Sequence, residues 1–573
     1  MRELHPFMQR WRKKPTLRAL VFWILPILFL VIFFYQPLLA LFNILVSPKW
    51  SVSLADLDIG RILKPLWFTI YQAVLSTLLT LALGLPSAWL FAQIKFPGKK
   101  FLKVLTTLPF ILPTVVVAAG FNTLLGPRGW LNLGLMAFFN LNAPPINFIN
   151  TFGAILVAHV FYNTSIMIRV VSNAWSGMNI RWQHAARVLG ASPWRTFKEV
   201  TLPLLKPSIL AATLLVFLFN FTSFGVVLML GGPQFATLEV EIYIQALHLL
   251  NLPLAAILSI IQLIFTLVIT ILYNHLTSKQ NRMDTTKTQS IIERAPRKGW
   301  ERWVVVLLVI ILLSLLVAPL ASLVTRSFVK LEPDRGERGE IQRGLTLQYY
   351  RELMVNRRDA LFYVPPITAI GNSFLFALIT IGITLILGTF VAYALRQKTV
   401  ANRILDPLLM LPLGASAITL GLGFIIVFNR PPFSSLRFPV LLPIAHSLVA
   451  LPFVVRTLSP ALQAISNSIK NAARVLGASP FRVWREIDLP LLAPSVLVSM
   501  IFALTISLGE FGASTFLTRP EYPTIPVAIY RYISQPGALN YGQALAMSTI
   551  LMVVCTVGIM IIERLHLPGK DLF

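Results

Sequence analysis

The chain alternates between long apolar runs and short polar or basic loops. A helix needs roughly 20 apolar residues to cross the hydrocarbon core of a bilayer, and twelve runs come close to or exceed that length. They lie at about 19–46, 64–94, 102–125, 147–172, 204–230, 252–277, 303–325, 366–395, 404–428, 438–460, 493–517 and 541–562. The pattern predicts an all-α integral membrane protein with about twelve transmembrane helices.

The composition agrees with this prediction and excludes an ordinary soluble protein. Of the 573 residues, 56% are hydrophobic and only 12% are charged, which leaves too little polar surface to keep a soluble chain of this size dispersed. The single cysteine, Cys555, lies inside an apolar run. The sequence therefore contains neither a disulfide framework nor a cluster of thiolate metal ligands.

The net charge of +27 raises the question of a nucleic-acid partner, but the positions of the charges argue against one. Lys and Arg concentrate in alternate loops between apolar runs, as the positive-inside rule describes for helical membrane proteins. The N-terminus, Met1 to Arg18, holds six basic residues and one acidic residue. We therefore expect a multi-pass protein of a bacterial inner membrane, embedded in the lipid bilayer, with both termini cytoplasmic.

One segment of the chain occurs twice. Residues 184–208 read HAARVLGASPWRTFKEVTLPLLKPS and residues 471–495 read NAARVLGASPFRVWREIDLPLLAPS, with 17 identities in 25 positions at an offset of 287. The same offset relates His159 to His446. Because the polar residues are preserved, chance similarity between apolar stretches does not explain the match. The repeat predicts two tandem homologous six-helix halves.

A polar, basic stretch at 279–301, near the chain midpoint, is predicted to link the two halves. The first half then covers 1–278 and the second half covers 302–573. The offset drifts to about 303 further upstream, which places an extra stretch in a loop of the first half near 126–146.

Local chemistry within the repeated segment predicts two short helices separated by a turn. Ala185 and Ala186 favour a helix, and Gly190 can take the left-handed conformation that ends one. Ser192 suits an N-cap and Pro193 suits the first helical position. The second copy repeats these devices at Ala472, Ala473, Gly477, Ser479 and Pro480.

The second short helix of each copy is expected either to stop at a proline, Pro203 or Pro490, or to enter the next span there. Each copy places two aromatic rings on one side of this helix: Trp194 and Phe197, then Phe481 and Trp484. Helices this short are marginal alone, so they must dock on another protein or on the membrane surface. A pair of amphipathic interfacial helices is the alternative to a docking site.

Both copies resemble the cytoplasmic EAA loop of type I ABC importer permeases, in which Ala-Ala, three residues, Gly and nine residues precede aliphatic-x-Leu-Pro. The acidic residue that opens the family motif is replaced by His184 and by Asn471. The resemblance implies the type I importer permease fold, with each loop acting as a coupling helix seated in a cleft of an ATPase subunit. The residues it assigns to this coupling are Ala185, Ala186, Gly190, Trp194, Leu202, Pro203, Ala472, Ala473, Gly477, Trp484, Leu489 and Pro490.

The sequence has no G-x-x-x-x-G-K-[ST] phosphate-binding loop and no catalytic constellation in its aqueous loops. We therefore expect a transport subunit and not an enzyme. ATP and Mg²⁺ are expected in two partner ATPase subunits, with no cofactor bound by this chain. By resemblance, an extracytoplasmic substrate-binding protein delivers the solute.

Ionisable residues inside membrane spans are functional candidates by default, and Glu510 is the clearest one. Its counterpart in the first half is Ser223, and both lie toward the far end of the fifth span of their half. Two such segments facing each other across a pseudo-twofold axis would line a solute pathway. The predicted pathway residues are Ser223, Phe224, Glu510, Phe511 and Ser514. The alternative is a packing site in which a neighbour satisfies Glu510.

The histidine pair His159 and His446 invites a metal-site interpretation. Interhelical hydrogen bonding is favoured because no carboxylate or thiolate accompanies either histidine. Just outside the fifth spans, residues 237–243 and 524–530 resemble the family's outer gate region. These stretches, together with a long loop at about 327–365, are expected either to receive a binding protein or to be ordinary solvated loops.

Fused permeases with two EAA loops import thiamine, ferric iron and a few related solutes. Residues 221–224 and 230–233 look most like those of thiamine permeases, whereas the general layout also resembles ferric-iron permeases. A cationic solute suits Glu510 and nearby aromatic rings. The rival interpretation is an ion- or proton-coupled secondary transporter, since those also duplicate six-helix halves. That class needs titratable residues spread through the spans, and Glu510 is almost the only acid there.

Overall fold

A computed structural model describes residues 15–46, 58–280, 293–296, 299–331, 344–356, 364–397, 399–429 and 438–565. Within these ranges the backbone is almost entirely helical. The only extended pairings among the described residues are two isolated bridges, Ile94 with Arg294 and Val329 with Leu345. The predicted all-α membrane fold is confirmed.

The α-helices of the first half are α1 Pro15–Leu30, α2 Gln36–Val46, α3 Ile59–Gln93, α4 Lys99–Leu105, α5 Leu108–Ile111, α6 Thr114–Leu125, α7 Trp130–Phe139, α8 Phe152–Ser176, α9 Ile180–Val188, α10 Pro193–Thr196, α11 Leu202–Phe221, α12 Gly225–Leu230, α13 Leu238–Tyr243 and α14 Leu252–Gln280. Those of the second half are α15 Gly299–Ser327, α16 Gln348–Arg351, α17 Pro366–Leu395, α18 Val400–Gly414, α19 Ala417–Phe428, α20 Phe438–Ala464, α21 Asn467–Val475, α22 Pro480–Val483, α23 Leu489–Gly509, α24 Gly512–Leu517, α25 Ile525–Ile533 and α26 Ala538–Leu565.

Ten helices in the described part of the chain are long and apolar enough to cross a membrane, and the number is twelve if each of two bent pairs is one span. The bent pairs lie at the spans predicted at 102–125 and 404–428, which are therefore interrupted and not continuous helices. The chain turns by 113° between Lys99–Ile111 and Thr114–Phe139, and by 92° between Val400–Pro412 and Ala417–Phe428. Pro113 lies at the first break and Pro412 lies in the last turn before the second, and each removes a backbone donor and obstructs the preceding turn.

The first helix of each half packs against the other half. Helix α1 lies along α17, and the indole Nε1 of Trp23 donates a hydrogen bond of 2.8 Å to Oδ1 of Asn402, both side chains being buried. In the same way α15 lies along α6 of the first half. Each half therefore contributes its first helix to the helix bundle of the other half, and this exchange holds the two halves together.

Two glycines let the first span of each half pack closely against the other half, at the contact of α15 with α6 and at that of α2, which continues the span of α1, with α19. A Cβ at Gly120 would lie 2.9 Å from the carbonyl oxygen of Pro319, and a Cβ at Gly423 would lie 2.9 Å from that of Pro37. Small residues let helix backbones approach at membrane interfaces. The contact is repeated in both halves, so it belongs to the duplicated design.

The end of the predicted linker is bound to the first half, whereas residues 281–292 and 297–298 lie outside the described residues. The backbone of Arg294 exchanges hydrogen bonds with Gln93 and Lys95, each 2.9 Å long. The guanidinium of Arg294 also pairs with the buried Glu301 at 2.5 Å. This part of the linker therefore has a defined place between α3 and α15.

The extra stretch predicted near 126–146 contains α7. Asn132 holds the loop closed: its amide nitrogen donates to the carbonyls of Gly126 and Ile146, and its amide oxygen accepts from the Ile146 N–H. The loop predicted at about 327–365 is described only in part. There the buried ring of Tyr349 packs against Gly542, and its hydroxyl accepts a hydrogen bond from the Leu331 N–H.

The glycine crossings give a test of the fold. Gly120→Val should destabilise the protein by about 1–3 kcal/mol, because the added methyl groups force α6 and α15 apart. The measurement is the thermal unfolding midpoint of the purified protein in detergent. Gly371→Val is the matched control, since a Cβ at Gly371 meets nothing within 4 Å. Equal midpoints for the two variants would contradict this account of the crossing.

Candidate functional site

Each repeated loop begins with a short helix that a glycine terminates. Gly190 has φ of +84° and Gly477 has φ of +83°, a region that residues with a Cβ rarely adopt. In the first copy the N–H of Gly190 bonds to the carbonyl of Arg187, and the N–H of Ala191 bonds to that of Ala186. This pattern is a Schellman motif. The second copy repeats both hydrogen bonds, so the predicted left-handed conformation that ends the helix is confirmed for both glycines.

The second short helix of each loop is capped as predicted. The hydroxyl of Ser192 accepts a hydrogen bond of 3.2 Å from the Arg195 N–H, and that of Ser479 accepts one of 3.3 Å from the Arg482 N–H. Arg195 also pairs with Glu199 at 3.0 Å, four residues on. Exposed pairs of this kind contribute only a few tenths of a kcal/mol.

The prolines after these helices do not end them. Each loop helix continues through a π-helical turn, Phe197–Thr201 or Trp484–Asp488, directly into the following span. The expectation that Pro203 and Pro490 stop the helix is wrong, and the alternative, entry into the next span, is what the structure shows. The wider π turn leaves room for a residue without a backbone donor.

Apolar side chains are presented to the outside at the turn of each loop. Val188, Leu189, Val475 and Leu476 are each 87% exposed, and Trp194 is 70% exposed. Of the other predicted coupling residues, Ala185, Gly190, Leu202, Pro203, Ala472, Gly477, Trp484, Leu489 and Pro490 are exposed, whereas Ala186 and Ala473 are half-buried. The structure thus leaves nearly the whole predicted set available to a partner.

The two loops differ in what lies beneath them. In the second copy, Lys470 forms a buried ion pair with Asp488, whose other oxygen accepts a hydrogen bond of 3.2 Å from the Tyr393 hydroxyl. Gln183 and Thr201 occupy the equivalent positions of the first copy. The outer surfaces of the loops are therefore alike, whereas their anchoring to the membrane helices is not.

A cavity of about 350 Å³ lies between the two halves, where four helices are interrupted. The interruptions separate α5 from α6, α11 from α12, α18 from α19 and α23 from α24. Residues at each of them line the cavity: Leu112, Thr222, Ser223, Phe224, Ala415, Ser416, Glu510 and Phe511. Secondary transporters, a different class of membrane protein, commonly place their solute sites at broken helices.

Four aromatic rings related by the repeat form a cluster beside the cavity. Phe224 stacks on its counterpart Phe511 with ring centroids 5.3 Å apart. Tyr243 packs edge-on against Phe224 at 5.4 Å, and its counterpart Tyr530 packs against Phe511 at 5.5 Å. We name Phe224, Tyr243, Phe511 and Tyr530 the aromatic cluster. Phe224 and Phe511 also line the cavity, and their stacking joins the two halves.

Glu510 is both satisfied by neighbours and exposed to the cavity. Its oxygens accept hydrogen bonds of 2.9 Å from the N–H groups of Ala513 and Ser514, and one of 3.1 Å from the Ser514 hydroxyl. Nε2 of His446 lies 3.5 Å away. Ser223, Phe224, Glu510 and Phe511 line the cavity, whereas Ser514 lies behind Glu510. Glu510 therefore has the hydrogen-bonded neighbours expected of a packing site, and it also lines the cavity as the predicted pathway residues Ser223, Phe224 and Phe511 do.

Both histidines form hydrogen bonds between helices, which confirms the favoured interpretation, although the expectation that no carboxylate accompanies them is wrong for His446, which lies 3.5 Å from Glu510. His159 lies between Ser76 at 3.0 Å and Ser223 at 2.8 Å. His446 lies between Ser507 at 2.8 Å and Ser514 at 2.9 Å. In each half a buried histidine thus connects the cavity segment to the bundle behind it.

The stretches expected outside the fifth spans are in fact folded into the protein. Helices α13 and α25 are largely buried, so the expectation of a solvated or binding-protein-facing loop is wrong for 237–243 and 524–530. Hydrogen bonds from the backbone N–H groups of Leu238 and Ile525 to the hydroxyls of Thr69 and Ser373, both 2.8 Å long, hold them there.

This folding brings in a residue that sequence reasoning missed. Glu239 is 2% exposed, lines the cavity and accepts a hydrogen bond of 2.6 Å from the amide of Gln262. Its acidic side chain within an apolar stretch is the signal that was available, but the flanking polar residues made the segment look like a loop.

Comparison with known proteins agrees with this architecture. The sequence profile of the family described as "Binding-protein-dependent transport system inner membrane component" matches residues 80–282 and 384–569. The chain is 29% identical to the "Probable ABC transporter permease protein y4fN" of Sinorhizobium fredii over 88% of both chains. It is 28% identical to the "Thiamine transport system permease protein ThiP" of Brucella abortus over 88% of both chains. It is 26% identical to the protein of the same name from Escherichia coli, over 88% of this chain and 89% of that protein.

The family profile covers more than half of the chain and occurs once on each side of the midpoint. The match disfavours a secondary transporter, because ATP hydrolysis in separate subunits drives transport in this family. The chain belongs to the inner-membrane components of binding-protein-dependent transport systems: it is a multi-pass ABC importer permease that works with an ATPase and a substrate-binding protein.

Proposed function

We propose that the solute carried by this permease is thiamine. Support comes from the relatives named thiamine permeases, which match the chain across 88% or more of its length. The cavity between the halves adds chemical support: it combines two carboxylates with several aromatic rings, and such surroundings stabilise an organic cation. Ferric iron is the other solute that the fused architecture brings into consideration.

We propose that each repeated loop binds one ATPase subunit, so that one permease chain works with two. The loops share 17 of 25 residues and the same exposed turn, which supports docking on two similar surfaces. The loops and both chain termini then lie on the cytoplasmic side. The coupling residues in this proposal are the twelve named for the loops above, with Val188, Leu189, Val475 and Leu476 added from the structure.

We propose that the cavity is a station on the solute pathway and that the aromatic cluster closes it toward the extracytoplasmic side. Ser223, Phe224, Glu510 and Phe511 would contact the solute, and Ser514 would hold Glu510 in place. Each half, 1–278 and 302–573, contributes one face of this pathway, and residues 279–301 connect the two.

The solute assignment is tested by transport. Proteoliposomes containing the permease, its ATPase and its binding protein should take up labelled thiamine only when ATP is supplied to the ATPase side. A variant ATPase that binds ATP without hydrolysing it is the control. ATP-dependent uptake of ferric iron without uptake of thiamine would overturn the assignment while leaving the permease role intact.

The loop assignment is tested at the exposed turns. Leu189→Gln combined with Leu476→Gln should weaken association with the ATPase at least about tenfold, since burial of each leucine contributes about 1.5–3 kcal/mol. Membrane insertion should persist because both side chains are exposed. Co-purification of the ATPase with the permease is the measurement.

The matched control is Leu189→Ile combined with Leu476→Ile, which keeps the apolar surface and should retain the ATPase. If the glutamine variant binds the ATPase as well as the isoleucine variant does, the loops do not dock through these turns. The interfacial-helix alternative would then account for their exposed apolar residues.

A further inference from the structure

The cavity contains two carboxylates that break the symmetry of the repeat. Glu239 comes from the first half and Glu510 from the second, and both line the cavity. At the offset of 287, the counterpart of Glu239 is Pro526 and the counterpart of Glu510 is Ser223. Each half thus supplies one acid from a position where the other half has none. The duplication alone does not account for either one.

The two carboxylates are buried, and Glu510 is better supplied with hydrogen bonds than Glu239 is. Glu239 is 2% and Glu510 is 8% exposed. Glu239 accepts a hydrogen bond from the neutral amide of Gln262, and it lines the same cavity as Glu510. Among the described residues that line the cavity, none is Lys or Arg. Two buried carboxylates that line one cavity, with His446 beside Glu510 as the nearby titratable partner, are costly to ionise together.

The surroundings of the carboxylates favour an organic cation over an inorganic one. The rings of Phe110, Tyr162, Phe219, Phe224 and Phe511 line the same cavity. Aromatic faces attract cations held within about 6 Å of the ring centroid. A volume of about 350 Å³ falls within the range of about 300–1,000 Å³ found for small-molecule pockets. The cavity therefore combines charge, apolar walls and size for one flat cationic molecule.

We propose that Glu239 and Glu510 together bind the solute during its passage, and that this pair makes the permease selective for organic cations. The inference rests on the proposed function of the cavity as a station on the pathway, and it adds the residues that set the charge preference. The cation would lie between the two halves, with one carboxylate from each, so its binding also joins them.

The first experiment measures transport with the charges removed one at a time. Glu239→Gln and Glu510→Gln keep the size of the side chain, and each should lower thiamine uptake per ATP hydrolysed at limiting thiamine at least about tenfold. Glu241→Gln is the matched control. Glu241 lies on the same short helix and bonds to Gln245, but it does not line the cavity, so uptake should be unchanged.

The second experiment reads the charge of the cavity without the binding protein. Thr222→Cys, made with Cys555→Ala, places one thiol in the cavity lining. The measurement is the ratio of the rates at which this thiol reacts with a cationic and with an anionic methanethiosulfonate reagent. In the purified permease this ratio should be several-fold higher than the same ratio for a free thiol in solution. Adding Glu239→Gln or Glu510→Gln should reduce this ratio, whereas adding Glu241→Gln should not.

The outcomes separate this inference from the proposed function. If the wild-type permease fails to carry thiamine but its cavity thiol still prefers the cationic reagent, the solute assignment falls and the charge-selective site stands. If wild-type uptake of thiamine is normal and neither glutamine variant changes uptake or the reagent ratio, the site is refuted. Preferential uptake of anionic thiamine diphosphate would also refute it.

Discussion

The structure depends on how backbone polar groups are satisfied inside a membrane. In hydrocarbon every N–H and C=O needs a partner, so a helix can break only where protein or a water-filled space surrounds the break. Four helices of this permease break around one cavity between the halves. At two of the breaks a side chain satisfies the freed N–H groups: Ser416 caps α19, and Glu510 accepts from the start of α24. The same residues therefore line the cavity and cap the helices that begin beside it.

Glu510 has two roles at the break between α23 and α24. Its hydrogen bonds to the start of α24 hold the break in shape, and its place in the lining brings negative charge into the cavity. A carboxylate near a helix N-terminus is stabilised by the unpaired N–H groups there. Ser223 at the equivalent position has no charge and bonds to His159 instead. The carboxylate of Glu510 thus lies at a helix start whose N–H groups stabilise it.

The sequence predicts the features that rest on local rules. Apolar runs give the spans, and Gly190, Ser192 and their repeats give the loop turns, because capping depends on neighbours within a few residues. The bends at 112–113 and 415–416, the exchange of the first helices and the burial of α13 depend on contacts with distant parts of the chain. Glu239 illustrates the limit. Its role appears only when Gln262 and the cavity are brought beside it.

The two halves are alike in their repeated loops and unlike in the carboxylates that line the cavity. This difference corresponds to what each region is proposed to bind. The proposed ATPase surfaces are similar, so the loops that face them have kept Val188, Leu189, Val475 and Leu476 equally exposed. A solute such as thiamine has no twofold symmetry, and a cavity with symmetric walls would offer it two equal orientations. Placing Glu239 and Glu510 at non-equivalent positions removes that equality. A single asymmetric solute therefore requires a cavity with unlike walls, whereas two similar ATPase subunits require two similar loops.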